Sequence, residues 1–372
     1  MVLFLGWDEY RQDIGVTDKI TIIKIFLFSV LSYWIVYVSA FYRRNIDVNT
    51  RKLILSRFDK YMYLIMCVLV AGFSFLYIRS LDNIALFHAF IGSEGVDKMR
   101  SEMGNANQSS HWIRLFINVF CVFWGYISII LVKQTQKIRY KILNVIAQLG
   151  VIVLLLIDTS KFAIIQYFIG LLAIEYFLGD GKLKGKMLRL AILGFAGIFG
   201  MYYLFASLDN IGIILQAASS RMVTGSIAPS YFYLQYIDQT GNYFLGTSFP
   251  NPGGVFGYTP ISVSVFIMDW WFGYSDDGIV GSSPTTFWAE AYVNFSIIGI
   301  VIFSSYMGLL IRLLDSVISK YSHRLVLKAA FGWFSAFIFT ANISGISEFL
   351  KPIFIVALGS IIILGISKYG KQ

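Results

Sequence analysis

One run of the chain gathers the residue types best suited to chemistry: Ser283-Pro-Thr-Thr-Phe-Trp-Ala-Glu290-Ala-Tyr292-Val-Asn294-Phe-Ser. Asn294 follows Glu290 by four positions, so on a helix the two share a face. Ser283 reads as an N-cap and Pro284 as the first helical residue. That start puts Glu290 six residues in, about 9 Å along the axis. A carboxylate at such depth in a spanning helix costs about 2.5–3.5 kcal/mol, so it must face protein or water. Two readings follow. Glu290 is part of a buried polar network between helices, or it is a general base or hydrogen-bonding acceptor for a sugar hydroxyl.

Four cations fall one to each of the connections assigned below to the exterior: Arg100, Lys161, Arg221 and Lys351. Converging on one face they would hold an anionic ligand, and the planar fork of arginine suits phosphate. The lysines have a simpler reading as well. Lys161 lies three after Asp158 and Lys351 three after Glu348, so each can pair locally across its turn. His111 is a possible base near neutral pH, or an interfacial residue beside Trp112. Asp276 and Asp277 are the paired carboxylates and read more simply as a solvated loop tip. No His/Cys/Asp group has metal-site spacing, and nothing matches a phosphate loop or dinucleotide fingerprint, so neither metal nor other cofactor is expected.

The elements that must position these residues are apolar. A hydrophobic fraction of 57%, with 14% charged residues, describes a polytopic α-helical membrane protein, read as a single domain over 1–372. Apolar runs fall at 22–42, 61–78, 112–132, 142–157, 162–178, 188–206, 285–311, 329–346 and 352–366. About nine or ten spanning helices are expected from them. The runs at 142–157 and 162–178 are short for a span of about 20 residues, and read as a tight hairpin. Cys67 and Cys121 sit in apolar runs and imply no disulfide. Asp8, Glu9 and Asp13 near the start argue against a cleaved signal peptide.

Lysine and arginine set the orientation. Alternate connections hold six (43–60), four (133–141), four (182–189), four (312–328) and two (the tail), which is 20 of the 30 basic residues. Those connections are expected in the cytoplasm with the C-terminus. They account for the net charge of +9 without a nucleic-acid partner. The segment 207–283 then lies outside. It holds four of the six prolines and a single cation, Arg221, and its aromatics, Tyr231 among them, suit stacking on sugar rings. At about 80 residues it far exceeds a usual connection of about 4–6, and reads as a folded cap over a membrane site.

The run from Ser283 to Ser296 resembles the short E-x-Y-x-N-F segment of bacterial Wzy-type polymerases of O-antigen or capsule repeat units, and Arg221 within Ser219-Ser-Arg-Met222 resembles their loop arginine. Many helices with one large late exterior loop extend the likeness over most of the chain. Asp158-Thr-Ser-Lys161 departs from it, with lysine where an arginine is expected. The resemblance implies a GT-C-like fold in the bacterial inner membrane and a block transfer. A growing glycan would pass from undecaprenyl pyrophosphate to a hydroxyl of a new lipid-linked repeat unit. Glu290 and Arg221 would be catalytic, and Arg100, Lys161, Lys351, Asn294, Tyr292, Tyr231 and His111 would bind substrate. A chain-length regulator protein and a flippase are the protein partners that it implies. A lipid-linked oligosaccharide flippase and an O-antigen ligase-type transferase are the alternatives.

Overall fold

The computed structural model describes residues 18–40, 57–79, 117–157, 161–178, isolated positions between 185 and 196, then 227–273, 282–320, 324–351 and 354–360. Among these residues the protein is all-helical, with 84% helix and no strand. In order the main helices are α1 (Lys19–Ala40), α2 (Arg57–Arg79), α3 (Val122–Thr135), α4 (Ile138–Ile157), α5 (Lys161–Leu178), α6 (Ser230–Thr240), α7 (Val263–Phe272), α8 (Phe287–Lys320) and α9 (Leu325–Ala341). A π-helical turn, Ile117–Cys121, leads into α3.

Four segments are long and apolar enough to cross a membrane: Lys19–Ala40, Asp59–Arg79, Ile138–Ile157 and Phe287–Val317. They leave large apolar side chains uncovered, such as Phe26, Leu27 and Val30 on α1 and Leu64, Ile65 and Val68 on α2. Water would penalise such faces, whereas hydrocarbon suits them, and a helix satisfies its own backbone there. The α4 segment is longer than its apolar run. It starts at Ile138 and takes Arg139 and Lys141 into its first turn, reaching 20 residues. Long basic side chains at a helix end carry their charge to the surface, which makes this extension cheap. The runs at 188–206 and 352–366 lie largely outside the described residues. Within 207–283 the described part, 227–273, is not an open loop but holds α6 and α7 joined by tight turns.

The chain divides into two compact units. One comprises Ile46–Ala218 and Ile318–Phe337. Its centre is a polar seam through α3, α4 and α5. Ser128 Oγ lies 2.9 Å from Asn144 Oδ1, Gln148 Nε2 donates to Gly125 O at 2.9 Å, and Tyr167 OH donates to Gln148 Oε1. Tyr126 stacks on Tyr167 at 5.2 Å and donates to its carbonyl at 3.1 Å. Where helices have no apolar driving force between them, as in lipid, such hydrogen bonds and close packing are what can hold a bundle together. Gly125 and Gly170 leave room for the Tyr167 and Tyr126 hydroxyls.

The other unit comprises Met1–Asn45, Ser219–Val317 and Ile338–Gln372. Here α6 docks on the start of α1. Asp18 caps α1 by accepting from Ile20 N at 3.0 Å and from the Thr21 hydroxyl at 2.6 Å. Those bonds, the Thr21 hydroxyl foremost, hold its carboxyl below the usual carboxylate range. Gln235 of α6 donates to Asp18 at 3.1 Å, and Lys24 pairs with Asp238 at 2.8 Å. Farther along, α8 meets α1 backbone to backbone at Gly308, where a Cβ would stand 2.6 Å from Val36 O and 2.9 Å from Ala40 N. Replacing Gly308 with Leu is therefore expected to push α1 from α8 and cost about 1–3 kcal/mol. The reading is the unfolding midpoint in detergent. An unchanged midpoint would exclude this contact.

Candidate functional site

The site lies in the second of these units, where α8 begins. Sequence reasoning starts this helix at Ser283-Pro284, but the structure starts it at Phe287. Ser283 N donates instead to Ser264 O at 2.9 Å, and Phe287 N is taken by Asn342 O at 3.0 Å. Thr286 O accepts the first helical bonds, from Ala289 N and Glu290 N. Ser230 Oγ of α6 lies 2.7 Å from Thr285 Oγ1 and 3.3 Å from Thr286 Oγ1. These bonds to α6 and the 342 turn, rather than a local cap, fix where the helix begins. Glu290 is accordingly its fourth residue, not its seventh.

Glu290 is 5% exposed. Its Oε2 accepts from Ser347 N and from Ser347 Oγ, both at 3.1 Å. The Ser248 hydroxyl hydrogen-bonds the same carboxylate. Gly345 makes the approach possible: it holds φ +113, and a Cβ on it would strike Glu290 Oε2. The carboxylate thus sits in a cradle of serine donors from two separate turns. Among the described residues no lysine or arginine pairs with it.

One turn on, Asn294 is fully buried with both ends of its amide in use. Its Nδ2 donates to Ser248 Oγ at 2.9 Å and to Glu290 O at 2.8 Å, while its Oδ1 accepts from Gly246 N at 2.8 Å. A relay runs from the Asn294 amide through the Ser248 hydroxyl to the Glu290 carboxylate. Immediately afterwards α8 breaks. Phe295 has φ −140, ψ 24 and Ser296 has φ 57, ψ −151, neither of them helical. The carbonyls freed by the break are accepted elsewhere: Phe244 N donates to Val293 O at 3.0 Å and Leu245 N to Asn294 O at 3.3 Å. The segment 244–248 thereby closes the end of an eight-residue helix that carries both Glu290 and Asn294. Gly299 lets the chain fold back close to the Ala291 carbonyl.

Ser296 sits in a region that is essentially glycine's, at a strain of about 1–3 kcal/mol. Replacing Ser296 with Gly is expected to raise the unfolding midpoint in detergent, by about 1 kcal/mol of stability. Replacing it with Val is expected to lower it. A fall for the Gly variant would rule out the break.

Aromatic side chains line the same helix. Tyr292 packs on Phe28 at 5.1 Å and on Tyr243 at 6.4 Å. Tyr233 donates to Ser283 O at 3.1 Å, and burial, with the Glu290 charge beside it, pushes its hydroxyl well above the usual tyrosine value. Tyr231 is 3% exposed, and its hydroxyl accepts from Asp18 N at 3.1 Å.

The predicted site residues therefore divide. Glu290, Tyr292 and Asn294 fall on one short helix, and Tyr231 joins α6 to α1. Lys351 pairs with Glu348 at 2.6 Å, the local partner that its spacing offers. Lys161 opens α5, but its side chain lies outside the described residues, as do Arg100, His111, Arg221, Asp276 and Asp277. Among the described residues no three His, Cys, Asp or Glu side chains group to hold a metal ion. Sequence reasoning missed Ser248, Gly345 and Ser347. The Gly345-Ile-Ser347 spacing was the available signal, but without the fold nothing connects it to Glu290.

Comparison of the chain with family models, with curated proteins and with solved structures gave no match.

Proposed function

We propose that this protein is a membrane glycosyltransferase that joins lipid-linked oligosaccharide repeat units at the outer face of a bacterial cytoplasmic membrane, as Wzy-type polymerases do. The observation that carries the reading is the Glu290 carboxylate, buried in a serine cradle on a short helix that ends at a membrane-helix break. Such a group suits the acceptor end of the transfer. It accepts the proton of the incoming sugar hydroxyl, whose oxygen forms the new bond to the anomeric carbon. The bond from that carbon to the pyrophosphate oxygen breaks, and undecaprenyl pyrophosphate leaves with the negative charge. Arg221 is assigned to that leaving group, where a guanidinium stabilises charge as it develops.

The positive-inside pattern supports the orientation: basic connections in the cytoplasm leave the start of α8 on the opposite side. The test is the length of surface polysaccharide in a strain deleted for the gene and complemented with wild type, Glu290→Gln or Arg221→Ala at equal membrane levels. Polymerisation predicts a single repeat unit on the acceptor after deletion, a ladder with wild type, and no ladder with either variant. Loss of even the single unit from the surface would instead favour export or ligation.

A further inference from the structure

Residues 239–268 hold no charged side chain. Within them a closed finger projects from the start of α8. Its base is shut by Ile261 N donating to Thr247 O at 2.8 Å. Its interior is organised by one side chain: Asn251 Nδ2 donates to Phe256 O and to Tyr258 O, each at 2.7 Å, and Asn251 Oδ1 accepts from Phe256 N at 3.0 Å. Gly253 and Gly254, at φ +71 and +67, reverse the chain. The tip then turns its apolar side chains outward, Val255 at 79% exposure and Phe256 at 58%. An ordered turn that satisfies its own backbone polar groups while presenting bare apolar residues is costly in water.

The root of the finger shows which medium it meets. Phe249 packs edge-on against Phe303 at 5.4 Å and, tilted, against Phe295 at 6.0 Å. Phe303 stands six positions beyond Ile297, where α8 resumes after its break, about 9 Å further along the axis. The finger therefore leaves from beside the membrane-spanning part of α8 rather than from above it. The neighbouring α8 residues Ile298 and Ile302 are 69% and 56% exposed, so the apolar surface runs on from helix to finger. We propose that the finger 249–258 is a membrane-seated element that inserts Val255 and Phe256 into the adjacent leaflet, at the boundary between headgroups and acyl chains. A depth of about 5–10 Å below the surface is usual for such apolar contacts. The absence of charge across 239–268 and the backbone bonds supplied by Asn251 fit that environment, where an unsatisfied carbonyl is expensive. This assignment depends on α8 crossing the bilayer and not on the catalytic reading.

The test uses the full chain in phospholipid vesicles, with Val255→Cys, Phe256→Cys or Gln239→Cys labelled by a small environment-sensitive fluorophore. Gln239 is exposed near the end of α6 and serves as the aqueous reference. Wild-type protein, with Cys121 buried and Cys67 half-buried, gives the blank. Lipids with a nitroxide near the top of the acyl chain are expected to remove most of the emission at 255 and 256. Iodide in the buffer should have little effect there, and position 239 should show the reverse. Quenching of 255 and 256 by iodide alone would place the finger in water and overturn the proposal. Protection from both quenchers would mean that protein covers the tip, and would overturn it equally.

Discussion

Glu290→Gln is expected to stop chain extension while leaving the protein folded. The two side chains have the same shape, and the Gln oxygen can still accept from Ser347 N. The hydroxyls of Ser248 and Ser347 rotate and can accept from the new amide as readily as they donate to the carboxylate. The structural cost should therefore be about 1 kcal/mol or less. What the variant loses is the charge and the capacity to take a proton, and a positioned base contributes about 10²–10⁴-fold to rate. A loss of that size leaves single repeat units where wild type makes a ladder. Glu290→Ala supplies the contrast. It leaves the half-buried Ser347 N without its acceptor, at about 1 kcal/mol, so it should lower both activity and the unfolding midpoint. A full ladder from Glu290→Gln at wild-type membrane levels would show that the carboxylate only holds the cradle together.

The architecture was legible in the sequence wherever apolar length alone decides it. The stretches at 22–42, 61–78, 142–157 and 285–311 each coincide with a segment that is long and apolar enough to cross a bilayer. The Glu348–Lys351 pair was legible too, because a three-residue offset is a local property. The break in α8 was not. Phe295 and Ser296 are neither proline nor glycine, and nothing in their own types marks a helix end. The break exists because residues 244–246, some fifty positions earlier, take over the freed carbonyls and the Asn294 amide. Ser283-Pro284 misled for the same reason: a good local cap signal was overridden by bonds to Ser264 and Asn342. The finger was hidden in a segment read as one exterior cap. Its placement depends on the packing of Phe249 against Phe295 and Phe303, some fifty positions away, which no pattern in either stretch announces.

The break also gives α8 two jobs in sequence. Beyond Ser296 it continues as an apolar helix of the kind that can cross a membrane, and before Phe295 it carries Glu290 into a cradle built from the turns at 244–248 and 345–347. The join between the two is held mainly by the Asn294 amide, whose three hydrogen bonds reach the 246–248 turn twice and the preceding helical turn once.

Asn294→Ala is accordingly expected to act first on stability. It removes the acceptor of Gly246 N and the donor to Ser248 Oγ, leaving buried polar groups unpaired at about 1–3 kcal/mol each. It also removes the amide that positions Ser248, whose hydroxyl bonds the Glu290 carboxylate, so activity should fall with the midpoint. Asn294→Asp should be no better. It keeps the acceptor for Gly246 N but turns a second oxygen toward the Glu290 carbonyl, and adds a buried charge near a carboxylate. The measurement is thermal unfolding of the purified protein in detergent beside polysaccharide length in cells. A role in gripping substrate predicts a different split: an Asn294→Ala protein as stable as wild type, with shorter ladders that recover when repeat-unit supply is raised. A stable, supply-rescued variant would return Asn294 to the substrate. A destabilised variant that supply cannot rescue would fix it as the side chain that holds the broken helix closed.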